Sequence, residues 1–119
     1  MAVVGGLLAA VFPALAESTI KVTVTALDGN FQPVRTITSG AELAAFDEHW
    51  AGRVKQRGGA ELRPPYAPQY RINIQSDRRG ESWHYDPAGL VRVLSVLRVP
   101  IYRLPSPAAF NALLGIKTE

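Results

Sequence analysis

Cysteine is absent from the 119 residues, which excludes a disulfide framework and a thiolate metal centre. Histidine is nearly absent: His49 and His84 stand alone, and no set of His, Asp and Glu shows metal-ligand spacing. There is no phosphate-cradling glycine loop, no Gly-x-Ser-x-Gly elbow and no Walker pattern, so neither metal nor cofactor is expected. No apolar run reaches the roughly 20 residues that a membrane-spanning helix needs. Lysine is scarce as well. Lys21, Lys55 and Lys117 are the only lysines among 13 basic residues. The rest are arginines, whose planar fork suits carboxylate and phosphate groups.

What is present describes one small globular domain. The chain is 47% hydrophobic and 19% charged, ordinary for a folded protein, and its length leaves no room for a second core. The net charge of +3 conceals an asymmetry. Residues 17–50 are acidic in balance. Residues 51–80 carry Arg53, Lys55, Arg57, Arg63, Arg71, Arg78 and Arg79 against Glu61 and Asp77.

Residues 1–16 hold no charge. They combine an apolar stretch from Val3 to Phe12 with Pro13 and the small-x-small sequence Ala14-Leu15-Ala16. Apart from a missing basic start, this is the pattern of a cleaved export signal, so the mature domain is expected to span 17–119 in the periplasm or outside the cell. Thr19 to Leu27 alternates as a strand, with Ile20, Val22, Val24 and Ala26 on one side and Lys21, Thr23 and Thr25 on the other. Asp28-Gly29-Asn30 turns it, and Phe31 to Thr38 resumes β-type residues that Pro33 confines to an edge.

Ser39 and Glu42 form a capping box, and Leu43, Phe46, Trp50 and Val54 trace one apolar stripe. That predicts a helix over 39–57, ended by Gly58-Gly59, with Arg53 and Arg57 sharing one face. A proline-rich loop follows at 60–68. Tyr70, Ile72 and Ile74 then alternate with Arg71, Asn73 and Gln75. With Asp77 to Gly80 as the turn, Ile74 faces Trp83, Ile72 faces Tyr85, Asn73 faces His84 and Arg71 faces Asp86. Asp86-Pro87-Ala88-Gly89 has the residues of a type I turn and also those of a helix start, with Asp86 as cap and Pro87 first. Arg92, Ser95 and Arg98 keep helical spacing, while the β-branched content favours a strand. Further strands are read after Gly89 and over Val99 to Leu104, and a short helix from Ser106-Pro107 to Gly115 with Ile116 folding back over it.

The fold class is therefore α+β: a mostly antiparallel sheet of four to six strands packed against one main helix, plus a short C-terminal helix. The basic residues Arg53, Arg57, Arg78 and Arg79 are the candidate binding site for an anionic or macromolecular partner. The run W-x-Y-D-P-x-G (Trp83 to Gly89), then P-x-Y-R-L (Pro100 to Leu104) and F-N-x-L-L-G (Phe110 to Gly115), resembles small exported uncharacterised proteins of Gram-negative bacteria. The resemblance implies an envelope setting and carries no activity.

The leading expectation is a periplasmic binding or inhibitor-type protein. It would hold an unknown protein or anionic envelope component without catalysis, with no nucleic-acid ligand and no transmembrane span. The alternatives are a small hydrolase or nuclease using His84 and Asp86, and a structural accessory subunit.

Overall fold

A computed structural model describes residues 18–56, 65–95 and 99–117. The expected leader at 1–16 and Arg57 lie outside these residues. The domain is α+β, with seven strands in one antiparallel sheet of order β2-β1-β4-β5-β6-β7-β3. The strands are β1 (Thr19–Ala26), β2 (Pro33–Ile37), β3 (Val54–Lys55), β4 (Tyr70–Ser76), β5 (Gly80–Asp86), β6 (Leu90–Val93) and β7 (Tyr102–Arg103). The helices are α1 (Gly40–Ala51) and α2 (Pro107–Leu113).

Period-two alternation decides what each strand buries. Val22 and Val24 of β1, Ile72 and Ile74 of β4, Trp83 and Tyr85 of β5 and Val91 of β6 face one side. Leu43 and Phe46 of α1, and Phe110, Leu114 and Ile116 in and after α2, close over them. Five aromatic rings meet there. Phe110 stands 5.6 Å from Phe46, 6.1 Å from Trp50 and 5.4 Å from Tyr85, and Trp50 meets Trp83 edge-on at 5.0 Å. Such pairs contribute about 0.5–1.5 kcal/mol each beyond the area they bury.

Two local expectations are corrected. The main helix ends at Ala51 rather than at 57, and Gly52 is its C-cap, donating to the carbonyls of His49 and Trp50. The stop is tertiary in origin. A Cβ at residue 52 would sit 3.1 Å from Cγ of Pro105, so glycine allows that chain to close against the helix end. Beyond it, Val54 and Lys55 pair with Arg103 and Tyr102 as β3, which brings the strand count to seven. Val54 therefore leaves the apolar stripe and is 65% exposed.

The β4–β5 hairpin is tighter by two residues than expected. Gln75 pairs with Gly80, and the backbone N–H and hydroxyl of Ser76 both donate to the Arg79 carbonyl, at 2.8 and 3.0 Å. Ile72 thus faces Trp83, Tyr70 faces Tyr85, and Asn73 faces Ser82. A two-residue shift preserves faces and changes partners.

The second turn follows its sequence. The Gly89 N–H donates to the Asp86 carbonyl at 2.8 Å, the Ala88 N–H donates to Asp86 Oδ1 at 2.9 Å, and Gly89 takes φ +102°. This is a type I turn followed by a left-handed residue. At the other end, Gly115 has φ +73°, and the N–H of Ile116 returns to the Asn111 carbonyl at 2.9 Å, closing α2 in a Schellman motif.

Candidate functional site

With both helices on one side, the alternate residues of β1, β4, β5 and β6 form the opposite face, part of which is covered where Leu90 packs with Ile101 and Tyr66. Register lines them up in rows across the strands. Thr25, Arg71, His84 and Arg92 are successive partners in one row, and Thr36, Thr23, Asn73 and Ser82 in the next. Neighbours within such a row stand about 4.5–5.5 Å apart at Cβ. Beside them Lys21 pairs with Gln75, and a shallow depression of about 200 Å3 is lined by Lys21, Thr23, Asn73, Gln75 and Ser82 among others. The Ser82 hydroxyl donates to Asn73 Oδ1, which holds two polar groups of this face in place.

The charge on this face is unbalanced. Neither Arg71 nor Arg92 makes an ion pair with a carboxylate among the described residues, and the buried Nε of Arg71 has no hydrogen-bond partner. Arg92 lies over the Tyr66 ring at 5.3 Å. Burial pushes the Tyr66 phenol up to about 12, with Arg92 opposing the shift, so Tyr66 stays protonated. His84 sits between the two arginines. Burial, and then the positive charge of Arg71, hold its imidazole below the ordinary value, so it is neutral at pH 7.

Asp86 is the acidic residue on this face, and its expected pairing with Arg71 does not form. Arg71 faces His84 instead. The Asp86 carboxylate is buried and accepts the backbone N–H groups of Ala67 and Ala88, both at 2.9 Å. It ties the 65–69 segment to the turn through these backbone donors rather than through the imidazole. The two histidines do not meet either: His49 lies on α1 with its ring 5.6 Å from Phe110, on the opposite side of the sheet from His84. No acid–base pair of histidines exists.

The arginines singled out by charge clustering have different fates. Arg53 is past the end of α1, not on it. Its guanidinium stands 4.5, 5.1 and 5.6 Å from the ring centres of Trp50, Trp83 and Tyr102, and Nη1 donates to the Trp50 carbonyl at 2.8 Å. Desolvation lowers its pKa while Glu81 opposes that. Cation–π contacts of this kind contribute about 0.5–2 kcal/mol, which makes Arg53 a packing residue. Arg78 and Arg79 are exposed at the β4–β5 turn, as expected there.

The basic residues that the fold does assemble are Lys21, Arg71 and Arg92. The polar-side positions of Lys21 and Arg71 were visible in the sequence, that of Arg92 was not, and register set Arg71 and Arg92 in one row with Lys21 further along the same face.

The three motifs noted in the sequence converge structurally. The Tyr85 hydroxyl donates to Asn111 Oδ1, Asn111 Nδ2 donates to the Pro87 carbonyl at 2.9 Å, and the Leu104 N–H donates to the Gly89 carbonyl at 2.8 Å. They bind α2 to the second turn, and their residues are explained without a ligand. A larger hollow of about 360 Å3 beside Ala26, Asp28, Gln69 and Tyr70 has its one carboxylate engaged, since Asp28 Oδ1 accepts the N–H groups of Asn30 and Phe31.

Among the described residues, no three of His, Asp and Glu are grouped to hold a metal, and no helix is long and apolar enough to cross a membrane. Comparison of the chain with protein-family models, with curated proteins and with solved structures gives no match.

Proposed function

We propose that this protein is an exported binding protein that holds an acidic macromolecular partner against the polar part of the sheet face away from the helices, without catalysis. One observation carries the reading: Lys21, Arg71 and Arg92 share a polar face on which Asp86, the carboxylate among the described residues there, is engaged by backbone donors. Positive charge that the fold does not neutralise favours a partner that brings negative charge. The aromatic rings of β4 and β5 face the core, so this side of those strands offers charge and hydrogen bonds rather than a stacking surface. Export is supported by residues 1–16 and by the resemblance described above.

Neutralising the face tests the binding. With Lys21, Arg71 and Arg92 all changed to Gln, affinity for a sulfated polysaccharide should fall by about ten-fold or more, since exposed ion pairs contribute about 0.2–1 kcal/mol each. Arg78→Gln serves as the comparison and should retain most of the affinity. Equal losses in both variants would show that general charge, not this face, is responsible. Export has its own check. Protein made from its natural upstream region should have an intact mass that begins at Glu17, and retention of Met1 would refute it.

A further inference from the structure

We infer that Arg71, His84 and Arg92 form one site for a phosphate-class tetrahedral dianion, and that the site closes more tightly on it as His84 takes up a proton. This rests on the binding face proposed above and names the group it recognises.

The row crosses three adjacent strands, β4, β5 and β6, with Arg71 and Arg92 on either side of His84. At the usual strand spacing their backbones are about 10 Å apart, a distance that two arginine side chains span over the central imidazole. A carboxylate has two oxygens, which one arginine fork satisfies, leaving the second fork and the imidazole without an acceptor. A phosphate monoester has three terminal oxygens and up to two negative charges. It can accept from both forks and from the ring at once. Among the described residues the buried Nε of Arg71 has no hydrogen-bond partner, as is also true of Arg35 and Arg53.

The proton completes the site. A neutral imidazole has a single N–H, whereas the protonated ring has two donors and a positive charge. The groups facing His84 come from three directions. Arg71 on β4 and Arg92 on β6 are its partners across the strands. Ser82 and Asp86 are two residues away on its own strand, and Asp86 is engaged by Ala67 and Ala88. Tyr66 donates its hydroxyl to the His84 carbonyl at 3.4 Å and stays protonated.

Without a ligand, burial and Arg71 disfavour the imidazolium. A bound dianion reverses that balance, so the ring binds a proton more readily in the complex than in the free protein. By linkage, affinity rises as pH falls through the value of the complex and levels off below that of the free protein.

The test uses the full chain and inorganic sulfate, a tetrahedral dianion whose charge is constant between about pH 5 and pH 8. Amide shifts of Arg71, His84 and Arg92 report the binding. Sulfate should bind about ten-fold more tightly near pH 5 than near pH 8, equivalent to about one pKa unit of coupling. His84→Asn should abolish that dependence. Arg71→Gln with Arg92→Gln should remove binding at both. At pH 8, phenyl phosphate should bind more tightly than succinate, a dianion built from carboxylates.

Equal affinity for phenyl phosphate and succinate would overturn the tetrahedral site, and an unchanged pH dependence in His84→Asn would overturn the role of its proton. Polysaccharide binding that depends on the face, without sulfate shifts in this row, would refute this site and leave the proposed function standing. Absence of both would refute both.

Discussion

Phe110→Ala is expected to destabilise the fold by about 3–5 kcal/mol, the range for removing a fully buried phenyl ring and leaving its cavity. The position has no escape to solvent. Phe110 is 0% exposed and in ring contact with Phe46, Trp50, Tyr85 and His49, so the gap would open where both helices and the sheet meet. Against a total stability of about 5–15 kcal/mol for a domain, the loss takes a large share. Urea unfolding followed by tryptophan fluorescence would measure it. A change below about 1 kcal/mol would mean that α2 is peripheral to the core rather than part of it.

Gly89→Ala is expected to cost about 2–4 kcal/mol although it adds only a methyl group. Two causes act together. A left-handed backbone costs a residue with a Cβ about 1–2 kcal/mol, and Gly89 has φ +102°. The new Cβ would also lie 2.6 Å from Cγ of Pro107, so the start of α2 must move, and overpacking of this kind costs about 1–3 kcal/mol. Gly29→Ala is the control, since it has open space around it and a φ outside the left-handed region. Thermal unfolding of both variants would separate strain from a general effect of losing glycine. Equal small shifts would sink the prediction.

Packing also accounts for much of what makes the sequence motifs conspicuous. Trp83, Tyr85, Asp86 and Gly89 look like a site because aromatic, acidic and glycine residues are concentrated in seven positions. Each instead supports the fold: Trp83 packs against Trp50 and Arg53, Tyr85 donates to Asn111, Asp86 holds two backbone N–H groups, and Gly89 makes room for Pro107. The basic row is less conspicuous in the sequence, because Arg71, His84 and Arg92 are scattered over more than 20 positions.

Local chemistry was enough for much of the architecture. Alternation in Val22–Val24 and Ile72–Ile74 put those residues in the core, and Ser39 capped α1 by accepting the Glu42 N–H at 3.2 Å. Asp86-Pro87-Ala88-Gly89 suited a turn or a helix start equally in residue type, and the structure has the turn. Pro33 put β2 at the edge, where a missing N–H costs least.

The tertiary structure decided what depends on partners distant in sequence. Gly52, not Gly58, caps α1, close against Pro105, and Arg53 lies beyond the helix among the aromatic rings. Ser76 closed the β4–β5 turn two residues early. Face depends only on whether a position is odd or even, so the sequence determined that Arg71 and His84 lie on the polar side. Which residue stands opposite depends on where the turn closes and how strands pair across the sheet, so only the assembled sheet set Arg71, His84 and Arg92 side by side.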